Sequence, residues 1–400
     1  MARHRLVLSL LVAALLCAGL AAAGCGRSAG SGPTGGPVIG KTGGQSSAAR
    51  ELGFPLFATK NTTRVGGGDP TADAAGVSRA VYSGTSATTR PTAVTLVDSG
   101  NWQAGVAASV LMSPPVRAPI LLAVASGLPA ASSSALSALD PTGSKPADGV
   151  QVIGVGRVAK PGGYKTLRLS GATPFALARQ VDRFQTAAAG RPSDTVIVTT
   201  AENAGFAMPA AAWAAKSGDP VLYVTKDRVP PDTVAALQAH QQPKIYLLGP
   251  TSAISDKVMP QLRRLGTVRR IAGPDPVANA IAFARYVDGT FGWGVVDPGH
   301  GLVFANQSRP LDAAAAAPLS ATGTYGPLLL TQGGKLPIPL VQYLLDIQPG
   351  YQKDPVRGVY NHGWLIGDQG AISLADQSRI DSLLEIVPVS GSGGSSQPAS

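Results

Sequence analysis

One motif occurs three times along the chain at nearly constant spacing. Each copy begins with an arginine, passes through an apolar residue to a glycine, and ends in Asp-Pro or Thr-Pro; the copies are residues 64–70, 168–174 and 270–276. The arginines at positions 64, 168 and 270 are 104 and then 102 residues apart. Self-similarity at a fixed period indicates that one structural unit is repeated. The fold must therefore be one that three copies of this unit can build.

The motif itself predicts a strand, a turn and a helix. Glycine after an apolar stretch lets the backbone turn without a Cβ penalty. The polar residue that follows is a good N-cap, and proline suits the first helical turn because its missing N–H has no helical acceptor. The predicted caps are Asp69, Thr173 and Asp275, and Ala-rich helices are predicted over residues 71–82, 175–189 and 277–287.

The rest of each unit alternates short apolar stretches with helices of small residues. The stretches lie at residues 93–97, 119–122 and 152–154, then at 195–199, 220–223 and 247–249, and then at 302–305, 327–330 and 365–367. Such runs between Ala-rich helices are typical of parallel strands covered on both faces. We predict an α/β fold of three tandem Rossmann-like parallel-sheet subdomains, which can pack around a pseudo-threefold axis.

The N-terminus predicts export and lipidation. Arg3 and Arg5 precede the apolar run Leu6–Ala23, which is short for a transmembrane span, so residues 1–24 are predicted to be a signal peptide. The run ends in Ala-Ala-Gly before Cys25, and this sequence resembles the lipobox at which bacterial lipoproteins are acylated. We predict lipidation of Cys25; an ordinary secreted protein is the alternative.

Both ends of the chain are rich in small polar residues. Residues 25–50 are predicted to form a lipidated, flexible Gly/Ser-rich tether, and residues 390–400 a disordered tail, because neither segment can bury enough apolar surface to order itself. The chain has two cysteines, Cys17 in the predicted signal peptide and Cys25. The mature protein is therefore expected to rely on an apolar core rather than on disulfides.

Four segments resemble the type 2 cell wall-binding repeat of Gram-positive surface proteins. They are Arg270–Gly273, Pro310–Ala314, Pro119–Leu122 and Leu248–Ser255. The resemblance extends over about residues 62–388. It implies three wall-binding repeats, at residues 51–166, 167–266 and 267–389, that attach the protein noncovalently to the wall. In that family the attachment is through anionic secondary polymers.

The copies depart from the family pattern in several respects, among them Pro70, Pro174 and Pro276, which stand where the family more often has a polar or basic residue. The acidic residue of the family's strand-to-helix turn is kept only as Asp312, and residues 348–361 form an insertion in the third unit. The ligand of the individual repeats therefore stays open between an anionic secondary polymer and peptidoglycan.

The charge of the chain favours polyanionic partners. There are 33 Lys and Arg against 23 Asp and Glu, a net charge of +10, and removal of Arg3 and Arg5 with the signal peptide leaves +8. A basic surface attracts polyanions; outside a cell these are wall polymers and lipid headgroups, not nucleic acid. The alternative is that the charge only keeps the protein soluble. The sequence does not specify a protein partner.

Polar residues at the strand tips are the candidate ligand contacts. Ligands of parallel α/β sheets bind beyond the carboxyl ends of the strands, where helix N-termini offer free N–H groups to anions. The candidates are Asn101, Trp102, Asn203, Arg309 and Asp312; ordinary capping of the helices is the alternative. For the repeated arginines, Arg64, Arg168 and Arg270, we favour a structural role between repeats over ligand contact.

The sequence lacks enzyme signatures. His240, His300 and His362 stand in unrelated contexts without metal-ligand spacing, and there is no Gly-x-Ser-x-Gly elbow. We therefore predict a protein without catalytic residues, cofactor or metal that lies on the extracellular face of the membrane, lipid-anchored within the wall. The alternatives are a solute-binding lipoprotein, a non-catalytic envelope scaffold and a wall hydrolase.

Overall fold

The fold is described from a computed structural model. The structure describes residues 57–322 and 324–389. The predicted signal peptide, Cys25, the tether and the C-terminal tail lie outside these residues.

The strands of the described residues are short. They are β1 (Phe57–Ala58), β2 (Thr62–Val65), β3 (Val94–Asp98), β4 (Ile120–Ala123), β5 (Val152–Val155), β6 (Thr166–Leu169), β7 (Thr195–Thr200), β8 (Val221–Val224), β9 (Lys244–Leu248), β10 (Thr267–Ile271), β11 (Gly301–Asn306), β12 (Leu328–Thr331), β13 (Gly350–Tyr351), β14 (His362–Ile366) and β15 (Val387–Pro388).

The helices between them are mostly of about two to four turns. They are α1 (Pro70–Val81), α2 (Trp102–Ala108), α3 (Ala130–Leu139), α4 (Pro174–Ala189), α5 (Ala204–Ser217), α6 (Pro231–Ala239), α7 (Met259–Arg263), α8 (Pro276–Arg285), α9 (Leu311–Ala321), α10 (Ile338–Asp346) and α11 (Leu374–Leu384). Helices α1, α4 and α8 begin at the repeated prolines, as the motif predicts.

Three parallel sheets share one strand order. They read β4-β3-β5-β6, β8-β7-β9-β10 and β12-β11-β14-β2, with β1 added antiparallel to β2 at the edge of the last sheet. The neighbouring strands within each of these three orders are parallel. The predicted α/β fold with parallel sheets is confirmed; the pseudo-threefold axis stays a prediction.

The strand that carries the repeated arginine lies in the sheet of another repeat. Strand β6, at the start of the second repeat, pairs with β5 of the first, and β10 of the third repeat pairs with β9 of the second. Strand β2 of the first repeat pairs with β14 of the third, so the series closes on itself. The predicted boundaries after residues 166 and 266 stay predictions for the sequence repeats, but each sheet includes one strand from the next repeat.

Three helices of small residues join the repeats into one core. Helices α2, α5 and α9 each follow the first strand of their repeat's sheet and pack against one another. The approach is close: a Cβ at Gly105 on α2 would lie 3.0 Å from the Cβ of Ala314 on α9, and one at Gly205 on α5 would lie 2.9 Å from the Cβ of Pro276. Larger side chains at these positions would force the repeats apart.

The insertion predicted in the third repeat adds a small element outside the three sheets. Strand β13 pairs in parallel with β15, and a 3₁₀ turn, Pro355–Arg357, follows. This element leaves the strand order of the third sheet unchanged.

The architecture bears on one alternative function. A solute-binding lipoprotein is expected to have two unequal lobes about a hinge cleft, whereas these three sheets have the same strand order. None of the helices in residues 57–322 and 324–389 combines the length and apolar character needed to cross a membrane.

Candidate functional site

The carboxyl ends of the strands define three equivalent crevices. From β3 the chain crosses to β4 on one side and later returns to β5 on the other, and the remaining sheets follow the same order. Ligands of parallel α/β sheets bind at such switch points. We call the crevice between β3 and β5 the first crevice, that between β7 and β9 the second, and that between β11 and β14 the third.

A capped helix begins at each crevice: α4 at the first, α8 at the second and α1 at the third. The side chain of Thr173 accepts from the backbone N–H of Ala176 at 3.1 Å, and that of Asp275 from Ala278 at 2.9 Å. Asp69 accepts from the backbone N–H groups of two residues of the first turn at 2.8 and 3.0 Å. All three predicted cap residues therefore occupy N-cap positions, where they satisfy otherwise unpaired donors.

Arg64 crosses from the first repeat into the third. Its guanidinium donates to the main-chain oxygens of Gly367, Asp368 and Ile372 at 2.9, 2.7 and 2.7 Å and to Oε1 of Gln377 at 2.9 Å. The side chain is 2% exposed, and this burial lowers the pKa of Arg64 to about 10. Arg64 therefore connects β2 to the loop after β14 through hydrogen bonds.

The other repeated arginines make fewer contacts of the same kind. Arg270 donates to the main-chain oxygens of Gly249 at 2.8 Å and Ile254 at 2.9 Å, both in the second repeat. Arg168 is exposed and donates to the main-chain oxygen of Val158 in the first repeat. Each arginine thus contacts the loop that follows the neighbouring strand; its structural role stays a prediction.

The third crevice contains a buried cluster of charged side chains. Arg309 pairs with Asp73 of the first repeat and, at 2.8 Å, with Asp312. Both carboxyl groups are fully buried, and Arg309 is 18% exposed. Asp73 also accepts from the backbone N–H of Gly67 at 2.5 Å. Two predicted ligand contacts, Arg309 and Asp312, are therefore engaged with a residue that the sequence analysis did not single out.

Burial raises the pKa of both carboxyl groups that contact Arg309, those of Asp73 and Asp312. Burial, reinforced by the nearby Asp312, raises the pKa of Asp73 to about 9. Burial also raises the pKa of Asp312, to about 6. The cluster therefore retains a proton at neutral pH, while the remaining negative charge pairs with Arg309.

The second crevice is also closed by side chains. Asn279 of α8 stands three residues after the repeated proline, as Asp73 does on α1. Its Oδ1 accepts from the backbone N–H of Gly273 at 3.2 Å, and its Nδ2 donates to the main-chain oxygen of Phe206 at 3.4 Å. The predicted contact Asn203 caps α5 by accepting from the backbone N–H of Gly205 at 3.1 Å.

The first crevice is open. A cavity of about 630 Å³ lies at the tips of β3, β5 and β6 and the start of α4. Its lining includes Asp98, Asn101, Arg157, Arg168, Thr173 and Leu177.

The predicted contacts of the first repeat lie in different surroundings. Asn101 lines the open cavity, and its Oδ1 accepts from the backbone N–H of Ala104 at 2.9 Å. Trp102 instead packs edge-on against Tyr223 of the second repeat, with 6.0 Å between the ring centroids. Asn101 is therefore placed to reach a ligand in the first crevice, whereas Trp102 serves packing between repeats.

Comparison with known proteins identifies the family. The model of cell wall binding domain 2 (CWB2) matches residues 168–259 and 270–375, which lie in two consecutive repeats. The chain belongs to the CWB2 family. The resemblance found in the sequence is thus confirmed, and CWB2 membership supports a cell-wall-binding role built on tandem repeats.

Two solved structures with a similar fold belong to longer chains than this CWB2 chain. Cwp6 from Clostridium difficile has a TM-score of 0.64 at 18% identity, covering 82% of this chain and 48% of that one. Cwp8 from Clostridium difficile has a TM-score of 0.62 at 19% identity, covering 81% and 52%. The chain thus spans about half the length of these neighbours. No curated protein sequence matches it significantly.

Proposed function

We propose that the protein binds the bacterial cell wall noncovalently, through an anionic secondary polymer or peptidoglycan, while lipidated Cys25 holds it at the outer face of the membrane. The match of the CWB2 model to two consecutive repeats carries this proposal. Within the described residues, no group of three or more His, Cys, Asp or Glu side chains could hold a metal ion.

The charge of the protein supports an anionic wall component as the ligand. The chain has a net charge of +10, and a basic protein gains affinity for polyanions by pairing charges and releasing counterions. The open first crevice supplies a concave site at the strand tips, where α/β folds bind ligands.

The tether fits a protein that acts between membrane and wall. A random coil with the Gly/Ser-rich composition and length of residues 25–50 would span roughly 25–30 Å root-mean-square. A lipid on Cys25 would thus hold the three repeats near the membrane while leaving them free to contact the wall. One acyl chain binds membranes only marginally, so a stable anchor requires a second signal, either another acyl chain or a basic patch.

Wall binding is tested by cosedimentation. The predicted mature chain, residues 25–400, carrying Cys25→Ser to block lipidation, is mixed with native walls and with walls stripped of secondary polymers. We expect the protein to pellet with native walls and to stay in solution with stripped walls. Pelleting with both would assign the ligand to peptidoglycan, and pelleting with neither would contradict the proposed function.

Lipidation is tested separately in cells. Labelling with a radioactive fatty acid is expected to mark the wild-type protein and not the Cys25→Ser variant. Equal labelling of both proteins would rule out Cys25 as the lipidated residue.

A further inference from the structure

We propose that the first crevice is a binding site for one phosphate or carboxylate group, and that the chain has a single site of this kind because its own side chains fill the other two crevices. The assignment of this group to a wall polymer rests on the proposed function.

The third crevice shows what the backbone at these switch points accommodates. The carboxyl group of Asp73 lies there against the backbone N–H of Gly67 and the guanidinium of Arg309. In the second crevice the amide oxygen of Asn279 takes the same place against the backbone N–H of Gly273. At two of the three crevices an oxygen of the chain itself thus accepts from the equivalent glycine.

The first crevice lacks such an internal acceptor. The position of Asp73 and Asn279, three residues after the repeated proline, is held by Leu177, which is 3% exposed and has no polar atom in its side chain. The glycine equivalent to Gly67 and Gly273 is Gly171, whose N–H donates no hydrogen bond within residues 57–322 and 324–389. An oxygen of a bound ligand would complete the arrangement seen in the other two crevices.

Arginine provides the charge for an anion at this position. Arg157 directly follows Gly156, the first residue after β5; the other repeats have Pro250 and Asp368 at the equivalent place. Arg157 is exposed, lines the cavity and forms no ion pair with any described residue. Arg157 is not among the ligand contacts predicted from the sequence, although an arginine present in only one of the three copies is a visible signal.

The remaining charges of the crevice also favour an anion. Arg168 lines the same cavity, so two guanidinium groups face one carboxylate, that of Asp98. Asp98 already accepts from the backbone N–H groups of Gly100 at 2.9 Å and Arg157 at 3.4 Å. The N-terminus of the 16-residue helix α4 adds the positive end of its dipole. Guanidinium groups bind phosphate and carboxylate through strong charge-assisted hydrogen bonds.

The size of the cavity fits a charged group together with part of a polymer. Its volume of about 630 Å³ falls within the range of about 300–1,000 Å³ typical of small-molecule sites. Asn101 lines the cavity, and because its Oδ1 serves as the cap of α2, its Nδ2 remains available to donate to a ligand.

Calorimetric titration of the Cys25→Ser protein tests the proposal without walls. The probes are inorganic phosphate, sodium acetate and uncharged glucose, each at low and high NaCl. We expect phosphate or acetate to bind at one site per chain, more weakly at high salt, and glucose not to bind. The anion that binds with the higher affinity indicates whether the polymer group is a phosphate or a carboxylate. Binding at three sites, or of neither anion, would overturn the proposal.

Two variants locate the site. Arg157→Ala is expected to weaken anion binding about tenfold or more, the range for loss of a hydrogen bond between charged groups. Leu177→Asn supplies the side chain type that Asn279 provides in the second crevice. This variant is expected to abolish anion binding. The control Arg191→Ala removes an exposed arginine, paired with Asp194 at 3.4 Å, and should bind like the parent. Equal loss in Arg157→Ala and Arg191→Ala would overturn the proposal, even if Leu177→Asn fails to fold.

The same variants separate this inference from the proposed function. If native walls bind the Arg157→Ala variant and the parent protein equally well, the wall-binding function stands, but the first crevice is not the site that binds the wall. If phosphate binds at one site but walls retain no protein, the anion site stands and the wall-binding function fails.

Discussion

Replacement of Asp73 by asparagine is expected to remove much of the pH dependence of stability. The Asp73 carboxyl is fully buried between Arg309 and the backbone N–H of Gly67, and its pKa is raised to about 9. An aspartate in an unfolded chain has a pKa of about 3.9. The folded protein therefore binds this proton more tightly than the unfolded chain does.

The sign and size of the effect follow from this difference. The stability contributed by protonated Asp73 is complete below about pH 4 and is lost as the pH rises towards about 9. Between those limits one proton corresponds to about 1.4 kcal/mol per pH unit. The free energy of unfolding should thus fall by about 3 kcal/mol from pH 6 to pH 8 through this group.

Asparagine keeps the geometry of Asp73 and does not titrate. Asn279 makes the equivalent contact with a glycine N–H in the second crevice, at 3.2 Å, so the backbone accommodates the amide. We expect Asp73→Asn to lose about 3 kcal/mol less stability than the wild type between pH 6 and pH 8. The change is measured by urea unfolding followed by tryptophan fluorescence.

The control for this experiment is Asp69→Asn. Asp69 is an exposed residue that caps the same helix, and asparagine caps equally well. This variant should keep the pH dependence of the wild type. If Asp73→Asn loses stability between pH 6 and pH 8 as steeply as the wild type, the buried cluster does not hold the proton and the argument is wrong.

Four further substitutions test side-chain contacts that stabilise the fold, each by urea unfolding. Arg64→Ala leaves four neutral acceptors without their donor and should cost about 3–5 kcal/mol. Arg168→Ala, at an exposed position, should cost about 1 kcal/mol or less. Equal costs of the two substitutions would contradict this reasoning. His240→Leu should cost about 3–5 kcal/mol, because His240 Nε2 lies 3.0 Å from the buried carboxylate of Asp182, and a neutral result would show that this pair is dispensable. Gly205→Val should cost about 1–3 kcal/mol by overpacking against the start of α8; unchanged stability would show that the repeats can separate locally.

Local sequence signals predicted the helix junctions well. The caps at Asp69, Thr173 and Asp275 and the prolines after them lie where the repeated motif places them. These features depend on residues within one turn of each other, so they can be recognised without knowledge of the rest of the chain. Parallel strands were similarly evident from short apolar runs between helices.

The candidate site was predicted only in part. Asn101 lies in the open crevice, but Arg309 and Asp312 belong to a buried cluster with Asp73. Arg309 and Asp73 are 236 residues apart in sequence. Their pairing depends on how the first and third repeats meet, and no local pattern in either segment carries that information.

The sequence by itself determined the repeated unit, its α/β class and the family to which the chain belongs. Only the tertiary structure decided which sheet receives each arginine strand and which of the three crevices stays open. The physical reason is that caps, turns and hydrophobic periods act over a few neighbouring residues, whereas strand partners and buried side-chain contacts form between segments hundreds of residues apart. One leucine, Leu177, at the place of Asp73 and Asn279 leaves the first crevice without a polar group to close it.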